Sequence, residues 1–180
     1  MLNKSVIVIA FVLTAAIACH KDESAASTTS STAAATAAAA PAAKDKSVDL
    51  APLPLTVKMP AEESAIAMDM SMGENKSVSV SYEAVNAGFN VSEPAQKSFA
   101  ELKKEYKGDT VLFPFKKWVK DGDTSAVEEF SNDGKTGYMA LSWKKVGGKS
   151  YVCKSNGLSG LASPADADKV LAICDTLAAK

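Results

Sequence analysis

The chain has 180 residues and a formal net charge of −1, and all 20 of its basic residues are lysine. A nearly neutral chain has no strong positive field to attract nucleic acids. Without arginine it also lacks the side chain best suited to paired hydrogen bonds with phosphates. The composition therefore predicts that the protein binds neither nucleic acid nor nucleotide.

Residues 1–18 have the three parts of a secretory signal peptide. Lys4 supplies the positive start, residues 6–13 form an almost unbroken apolar run, and residues 15–18 offer small side chains for cleavage. The apolar run is shorter than the roughly 20 residues that a transmembrane helix needs. We therefore predict a signal peptide and not a membrane span.

The residues Ala16-Ile17-Ala18-Cys19 resemble the lipobox of bacterial lipoproteins, although that family usually has leucine in the place of Ala16. The resemblance implies that Cys19 is lipidated on sulfur, that the signal is cut before it, and that the new amino group is acylated. Several buried acyl chains would anchor the protein firmly. The alternative is ordinary cleavage after Ala18, which would leave Cys19 as a free thiol.

The residue after the cysteine bears on the membrane in which the protein resides. In enterobacterial lipoproteins an aspartate at this place retains the protein in the inner membrane. This chain has His20 there. The resemblance therefore implies an outer-membrane protein that faces the periplasm and contacts the membrane through its N-terminal lipid.

Residues 19–50 are predicted to form a disordered tether, because alanine, serine, threonine and lysine dominate them. Such a segment has too few large apolar side chains to build a core. The remaining residues, 51–180, are enough for one ordinary domain with a core of its own.

The domain begins with alternating patterns that indicate strands. Residues 53–60 alternate in this way until Pro60 ends the strand. A second strand is predicted over residues 66–72, and its apolar face is predicted to lie in the core. That face consists of Ile66, Met68, Met70 and Met72.

A third strand and a helix follow. Residues 78–91 alternate as one strand, with a slip in the pattern that indicates a bulge or bend near residues 86–88. Ser92 has the features of a helix cap, and the helix that it starts is predicted to end at Gly108.

The second half of the domain predicts a strand over residues 111–119, then two hairpins and a helix. The turn signals of the hairpins are Asn132-Asp133-Gly134 and Gly147-Gly148. Ser163 is predicted to cap the last helix, with Asp166 in the position that completes a capping box.

Cys153 and Cys174 are the two cysteines that remain if Cys19 carries lipid. An even pair in an exported chain predicts a structural disulfide. Cys174 lies on the inner stripe of the last helix and Cys153 ends the strand before it. The bridge is therefore predicted to hold that helix against the sheet.

The order strands, helix, strands, helix predicts an α+β fold, in which an antiparallel sheet is packed by two main helices. The opening strand of residues 53–60, the mid-chain helix, the hairpin at residues 147–151 and the closing helix of residues 172–177 resemble the PsbP-like sandwich superfamily. That superfamily is mostly non-catalytic and binds partners, so the resemblance implies a binding protein. It assigns no functional residue here.

The predicted domain contains no histidine, since His20 is the one histidine in the chain. Serine and cysteine nucleophiles that depend on histidine are therefore excluded. Ser142 and Lys145 match a Ser-x-x-Lys motif but lie in a predicted strand, where they point to opposite faces. Glu128 and Glu129 are excluded as a carboxylate pair for the same reason. We predict that the protein is not an enzyme and uses no cofactor.

Two stretches imitate metal sites. Residues 121–125 resemble the start of a calcium-binding loop, but Asn132 stands where the final glutamate belongs, so a turn is predicted. The run of Met68, Met70 and Met72 resembles the methionine-rich runs of periplasmic copper proteins. Burial in the core is the favoured interpretation of these methionines, and Cu(I) binding is the alternative function.

The sequence thus predicts a non-enzymatic lipoprotein that binds a protein or another component of the envelope. One version is an immunity protein that blocks a toxin from a rival cell. Aromatic residues concentrate in the second half, and any that are exposed are candidate anchors for a partner. They are Phe113, Phe115, Trp118, Tyr138, Trp143 and Tyr151.

Overall fold

Ten strands and two helices make up residues 45–82, 87–157 and 159–180, which are the parts of the chain that the computed structural model describes. Five strands precede the first helix, four lie between the helices, and a short one follows the second. The elements are β1 (Asp45–Asp49), β2 (Leu55–Pro60), β3 (Ala65–Asp69), β4 (Ser77–Tyr82), β5 (Ala87–Ser92), α1 (Phe99–Gly108), β6 (Phe115–Asp121), β7 (Ser125–Asn132), β8 (Lys135–Val146), β9 (Lys149–Ser155), α2 (Pro164–Cys174) and β10 (Ala178–Ala179).

The strands form two antiparallel sheets. The large sheet has seven strands in the order β3-β4-β5-β9-β8-β7-β6, and the small sheet has the order β1-β2-β10. Consecutive hairpins join most neighbours, which is typical of antiparallel sheets. The predicted α+β class, with an antiparallel sheet and two helices, is confirmed.

The main core lies between the large sheet, the small sheet and α2. Large apolar side chains of all three meet there, and most are fully buried. Burial of this apolar surface contributes about 25 cal/mol for each Å² removed from water. Its largest members include Leu53, Leu55, Met59, Phe89 and Tyr151.

The opposite face of the large sheet is covered over only part of its width. A second apolar cluster joins α1, through Phe99 and Leu102, to side chains of β7, β8 and β9. Among the described residues it takes no side chain from β3, β4 or β5. Three strands of this face are therefore left uncovered by α1.

Both predicted hairpin turns are confirmed. Asp133 and Gly134 connect β7 to β8 with φ angles of 48° and 75°, and Gly147 and Gly148 connect β8 to β9 with φ angles of 57° and 82°. Positive φ at both central residues suits the right-handed twist of the paired strands. Asp, Asn and Gly tolerate this conformation best, which is why the sequence signal is so local.

The start of α2 and its attachment to the sheet agree with the prediction. The Ser163 hydroxyl accepts a hydrogen bond from the Asp166 backbone N–H at 3.2 Å and donates one to the Asp166 carboxylate at 2.8 Å. Cys153 and Cys174 form a disulfide with a Cα–Cα distance of 5.8 Å. The bridge joins β9 to the last turn of α2.

The predicted start of the first helix is wrong. Ser92 is the last residue of β5, where it pairs with β4 and β9, and α1 begins at Phe99. The cap is Ser98, whose side chain accepts a hydrogen bond from the Glu101 backbone N–H at 3.2 Å. Pairing on both sides keeps the chain extended through Ser92, which overrides its local tendency to cap a helix.

The single bent strand predicted over residues 78–91 is also wrong. β4 and β5 are separate strands that pair antiparallel, with Tyr82 opposite Ala87. The slip in the alternating pattern therefore marks a reversal of the chain between two strands. Residues 83–86, which include part of the predicted bend, lie outside the described residues.

The folded part of the chain begins no later than Asp45. β1 lies in a stretch that the sequence places in the tether, and it pairs with β2 over five residues. Leu50, which follows it, is fully buried. The pairing partner, and not the composition of the segment itself, accounts for the order of these residues.

The predicted signal peptide, the predicted lipobox with Cys19, and residues 20–44 lie outside the described residues. Among the helices of the described residues, none is long and apolar enough to cross a membrane.

Candidate functional site

Burial in the core, the favoured prediction for the methionine strand, is wrong. The side chains of Met68, Met70 and Met72 are 49%, 56% and 80% exposed, and Ile66 is 62% exposed. We call these four residues the methionine ridge. Alternation showed correctly that they share one face, but it does not tell whether another element covers that face.

The ridge lies on the same face of the large sheet as α1. The strand register aligns one row of side chains across the sheet, from the ridge to the residues under α1. That row is Met68, Ser79, Asn90, Lys154, Leu141 and Ala126. It is apolar beneath α1, polar in the middle and apolar again at the exposed edge.

A hairpin holds the ridge beyond the end of β3. The Met70 N–H donates to the Ser77 carbonyl at 2.8 Å, and the Met72 N–H donates to the Asn75 carbonyl at 3.0 Å. Gly73 begins the turn with a φ angle of 61°, a conformation that favours glycine. Residues 65–72 therefore form one continuous edge, longer than β3 alone.

A groove separates the ridge from α1. Its cavity has a volume of about 410 Å³, and Met70 and Met72 form one side while Tyr106 forms the other. A second cavity of about 390 Å³ adjoins it, because both are lined by Asn90, Tyr106 and Lys154. We call the two together the sheet groove.

Lys154 is one of two lysines that line the sheet groove, and the other is Lys76. The Lys154 ammonium donates to the Tyr106 hydroxyl at 3.1 Å and lies 5.8 Å from the centre of that ring. None of the ion pairs formed among the described residues includes Lys154. The ammonium has three donors, so it can also bind an acceptor from a ligand.

Asn156 has a structural role at the end of the groove. Its side-chain oxygen accepts from the Gly88 N–H at 2.7 Å, and its amide nitrogen donates to Ser79 at 3.0 Å. The backbone of Asn156 also donates to the Gly88 carbonyl at 2.9 Å. These bonds fix the loop after β9 against β4 and β5.

Glu128 is a buried acid that sequence reasoning passed over. It is fully buried opposite Trp118 and Met139, and neither carboxylate oxygen has a hydrogen-bond partner among the described residues. Burial, with a further effect of the nearby Asp109 carboxylate, raises its pKa to about 7. The alternation of Ala126, Glu128 and Phe130 was the signal that could have revealed it.

The structure does not bring together the residues of the two catalytic motifs that the sequence analysis rejected. Ser142 and Lys145 lie three residues apart in β8, and Ser142 is buried whereas Lys145 is exposed. Glu129 pairs with Lys117 at 3.3 Å, while Glu128 is fully buried opposite Met139. Both observations fit the opposite orientations that the strand pattern predicts.

The aromatic residues proposed as partner anchors are not freely exposed. Tyr151 is buried, and the other five are half-buried. Phe113 packs edge-on against Phe130, and Phe115 against Trp118, each with ring centres 5.0 Å apart. The exposed large apolar side chains of the described chain lie in the ridge and at Val111, Leu112 and Val119.

Among the described residues, no group of three or more histidine, cysteine, aspartate or glutamate side chains could hold a metal ion. The predicted loop at residues 121–125 is a turn between β6 and β7, in which the Gly122 N–H donates to the Ser125 carbonyl at 2.9 Å. The methionine thioethers of the ridge are metal ligands of a different kind from these four residue types.

Comparisons with protein-family models, with curated proteins and with solved structures found no match. Fold and site together define an α+β domain with a partly uncovered sheet face and an apolar edge.

Proposed function

We propose that this chain is a lipid-anchored, non-enzymatic binding module of the bacterial envelope, which recognises a protein partner through the methionine ridge. The observation that supports the proposal is the exposure of four large apolar side chains in one contiguous row. Soluble proteins expose single apolar residues commonly, but a continuous apolar patch usually marks an interaction site.

The chemistry of the ridge suits a polypeptide partner. Methionine side chains are flexible and polarisable, so they adapt to the shape of a protein surface. The sheet groove beside the ridge supplies polar groups, including Asn90 and Lys154. An apolar centre with a polar margin is the usual composition of a protein interface.

The proposed location follows from the N-terminal segment. Lipid on Cys19 would hold the protein at the outer membrane, and the residues up to β1 would let the domain reach partners in the periplasm. The partner would then be a protein of the envelope or, in the immunity version, a toxin that arrives there.

The first experiment is crosslinking in cells that make the full-length protein, followed by identification of the attached proteins. We expect the combined variant Met68→Ser, Met70→Ser and Met72→Ser to recover its main crosslinked partner at least about tenfold less well, since hot-spot residues dominate binding. The serine variant should remain folded because each of these side chains is about half exposed or more.

The matched control is the variant Val111→Ser and Leu112→Ser, which removes apolar side chains that are 82% and 64% exposed at another place. It should recover the partner as well as the unaltered protein does. Equal recovery with the ridge variant would contradict the proposal. A secreted hydrolase as partner would favour the immunity version, and an assembly protein of the outer membrane would favour a structural role.

Exposure of the methionines also favours a second candidate function, binding of Cu(I). Thioether sulfur is a soft ligand that suits Cu(I). Neighbouring ridge methionines lie two residues apart, or about 7 Å along an extended strand. Their flexible side chains are long enough for two of them to meet at one ion between them.

If the protein binds Cu(I), purified full-length protein should withdraw one ion from a chromogenic Cu(I) chelator. The variant Met68→Leu, Met70→Leu and Met72→Leu should then withdraw none, because leucine keeps the apolar volume but lacks sulfur. Met139→Leu, which changes a buried methionine, serves as the control. Failure of the unaltered protein to compete would reject this candidate and leave the proposed protein partner unaffected.

A further inference from the structure

The two edges of the large sheet differ in how they are protected. β6 forms one edge and carries Lys116, Lys117 and Lys120. Its pairing with β7 also shifts register twice, between Phe115 and Lys117 and between Trp118 and Lys120. Charged side chains and bulges are the usual devices that prevent an edge strand from pairing with another chain.

β3 forms the other edge, has no bulge, and carries a single charged residue, Asp69, at its end. Its sequence contains no lysine and no proline, and all five of its residues pair with β4 in continuous register. Backbone bonds from Met70 and Met72 carry the edge on to residue 72. The ladder is irregular at Ser71, whose hydroxyl accepts the Ser77 N–H at 3.2 Å, so the regular edge is β3 itself. Most of its side chains are exposed.

The free side of this edge presents backbone groups that can pair. Met70 and Met72 direct their N–H groups towards β4. Because alternate residues of a strand bond in the same direction, Ala67 and Asp69 direct their N–H and C=O groups outwards. Ser71 is an exception, since its N–H donates to the Asp69 carboxylate at 2.8 Å. No described strand pairs with β3 on this side, although β1 of the small sheet comes close to β3.

We infer that the β3 edge accepts an extended segment of the partner protein as an additional strand of the large sheet. The inference rests on the proposed function and specifies how the ridge is used. Apolar side chains of the incoming strand would pack beside Ile66 and Met68, because residues directly across two strands share a face. Backbone hydrogen bonds to Ala67 and Asp69 would supply affinity, as they do when other domains add a strand at a sheet edge.

Charge indicates which segment fits. Residues 61–75 contain four acidic residues, Glu62, Glu63, Asp69 and Glu74, and no basic one. Pairing of two copies along β3 would bring two such acidic segments together, which is unfavourable. A strand that alternates apolar residues with lysine or arginine would place its cations near Asp69 and is the favoured occupant.

The test uses the full-length protein and two synthetic probes with blocked ends. One is a peptide of about nine residues that alternates valine with lysine, a length typical of strands. The other is the same peptide N-methylated at alternate residues, so that one edge of its backbone cannot donate hydrogen bonds. We expect the first to bind, and the methylated peptide to bind at least about tenfold more weakly.

Three substitutions at one exposed residue test the edge of the protein. Ala67→Pro removes an outward N–H without removing a donor to β4, and proline is tolerated at edge positions of this kind. Ala67→Lys adds the charge that protects β6. Ala67→Ser keeps the backbone unchanged and is the matched control. The proline and lysine variants should bind the peptide at least about tenfold more weakly, and the serine variant should bind it equally well.

The same variants in the crosslinking experiment separate this inference from the proposed function. Loss of the partner with both Ala67→Pro and Ala67→Lys supports strand addition. Loss with the ridge serine variant alone would overturn strand addition but keep the ridge as the docking site. Recovery with all of them would overturn both. Sedimentation that shows a dimer dissolved by Ala67→Lys, or crosslinks from β3 to residues 20–44, would also overturn the inference by identifying another occupant.

Thermal unfolding of each Ala67 variant comes first. If the proline variant unfolds, the lysine and serine pair carries the comparison, since neither removes a backbone hydrogen bond.

Discussion

Replacement of Cys153 and Cys174 together by alanine is expected to lower the free energy of unfolding by about 3 kcal/mol. The disulfide joins residues 21 apart in sequence and so restricts the unfolded chain. Both sulfurs lie in the main core, where the bridge also holds α2 against the large sheet. For a domain of this size the midpoint of thermal unfolding should fall by roughly 10 °C.

Urea unfolding followed by circular dichroism measures this effect. The unaltered protein kept reduced with dithiothreitol through unfolding and refolding is the matched control, and it should lose about as much stability as the double alanine variant. If the variant and the oxidised protein unfold at the same urea concentration, the bridge does not stabilise the fold.

The second large effect concerns Glu128 and pH. The pKa of this carboxyl is about 7 in the folded protein against an ordinary value of 4.5. Between these values the unfolded chain gives up the proton while the folded protein keeps it, so stability falls as pH rises. The decrease should reach about 3 kcal/mol by about pH 8, because each pKa unit corresponds to about 1.4 kcal/mol.

Glu128→Gln should remove this decrease, because the amide stays neutral and has nearly the same shape. The variant should resemble the unaltered protein in stability near pH 4.5 and exceed it by about 3 kcal/mol near pH 8. Glu129→Gln is the matched control, since Glu129 is ion-paired with Lys117. The stability of this control variant should still fall between pH 4.5 and pH 8 as that of the unaltered protein does. An unchanged slope in Glu128→Gln would exclude Glu128 as its source.

Carboxyl groups whose pKa values are lowered by folding change the stability only at lower pH, so they do not contribute to the decrease between pH 4.5 and pH 8. Hydrogen bonds from the Val111 and Leu112 backbone hold the pKa of Asp109 below 3.8, and bonds from Lys169 and Ser163 do the same for Asp166. Groups with lowered pKa values stabilise the fold above their unfolded pKa and lose this contribution as pH falls. Their effect therefore appears below about pH 4.

The features that the sequence predicts well depend on few residues close together. Two positive φ angles at Gly147 and Gly148 make a hairpin almost regardless of what surrounds it. The reciprocal bonds of Ser163 and Asp166 likewise need only four consecutive residues. The disulfide was predictable because Cys153 and Cys174 are the two cysteines of the predicted domain.

The features that the sequence predicts poorly depend on which strands and helices lie next to one another in the fold. Ser92 and Ser98 both precede helix-compatible residues, and only the pairing of β5 on both sides decides between them. The methionine ridge and Glu128 are two further examples: apolar side chains are exposed in the first, and a carboxyl group is buried in the second. Alternation assigns each to a face, but the placement of α1 leaves the ridge exposed and buries the acid.

The attachment of the last residues has a consequence for the timing of folding. β10 pairs with β2, the Lys180 N–H donates to the Pro54 carbonyl at 3.2 Å, and the Lys180 side chain pairs with Asp49. The small sheet therefore closes around residues from both ends of the domain, and such distant contacts form late in folding. A chain crossing a membrane from its N-terminus could not complete this sheet until residue 180 had emerged. If the protein is exported as proposed, the small sheet would therefore be completed only after the last residues of the domain had crossed.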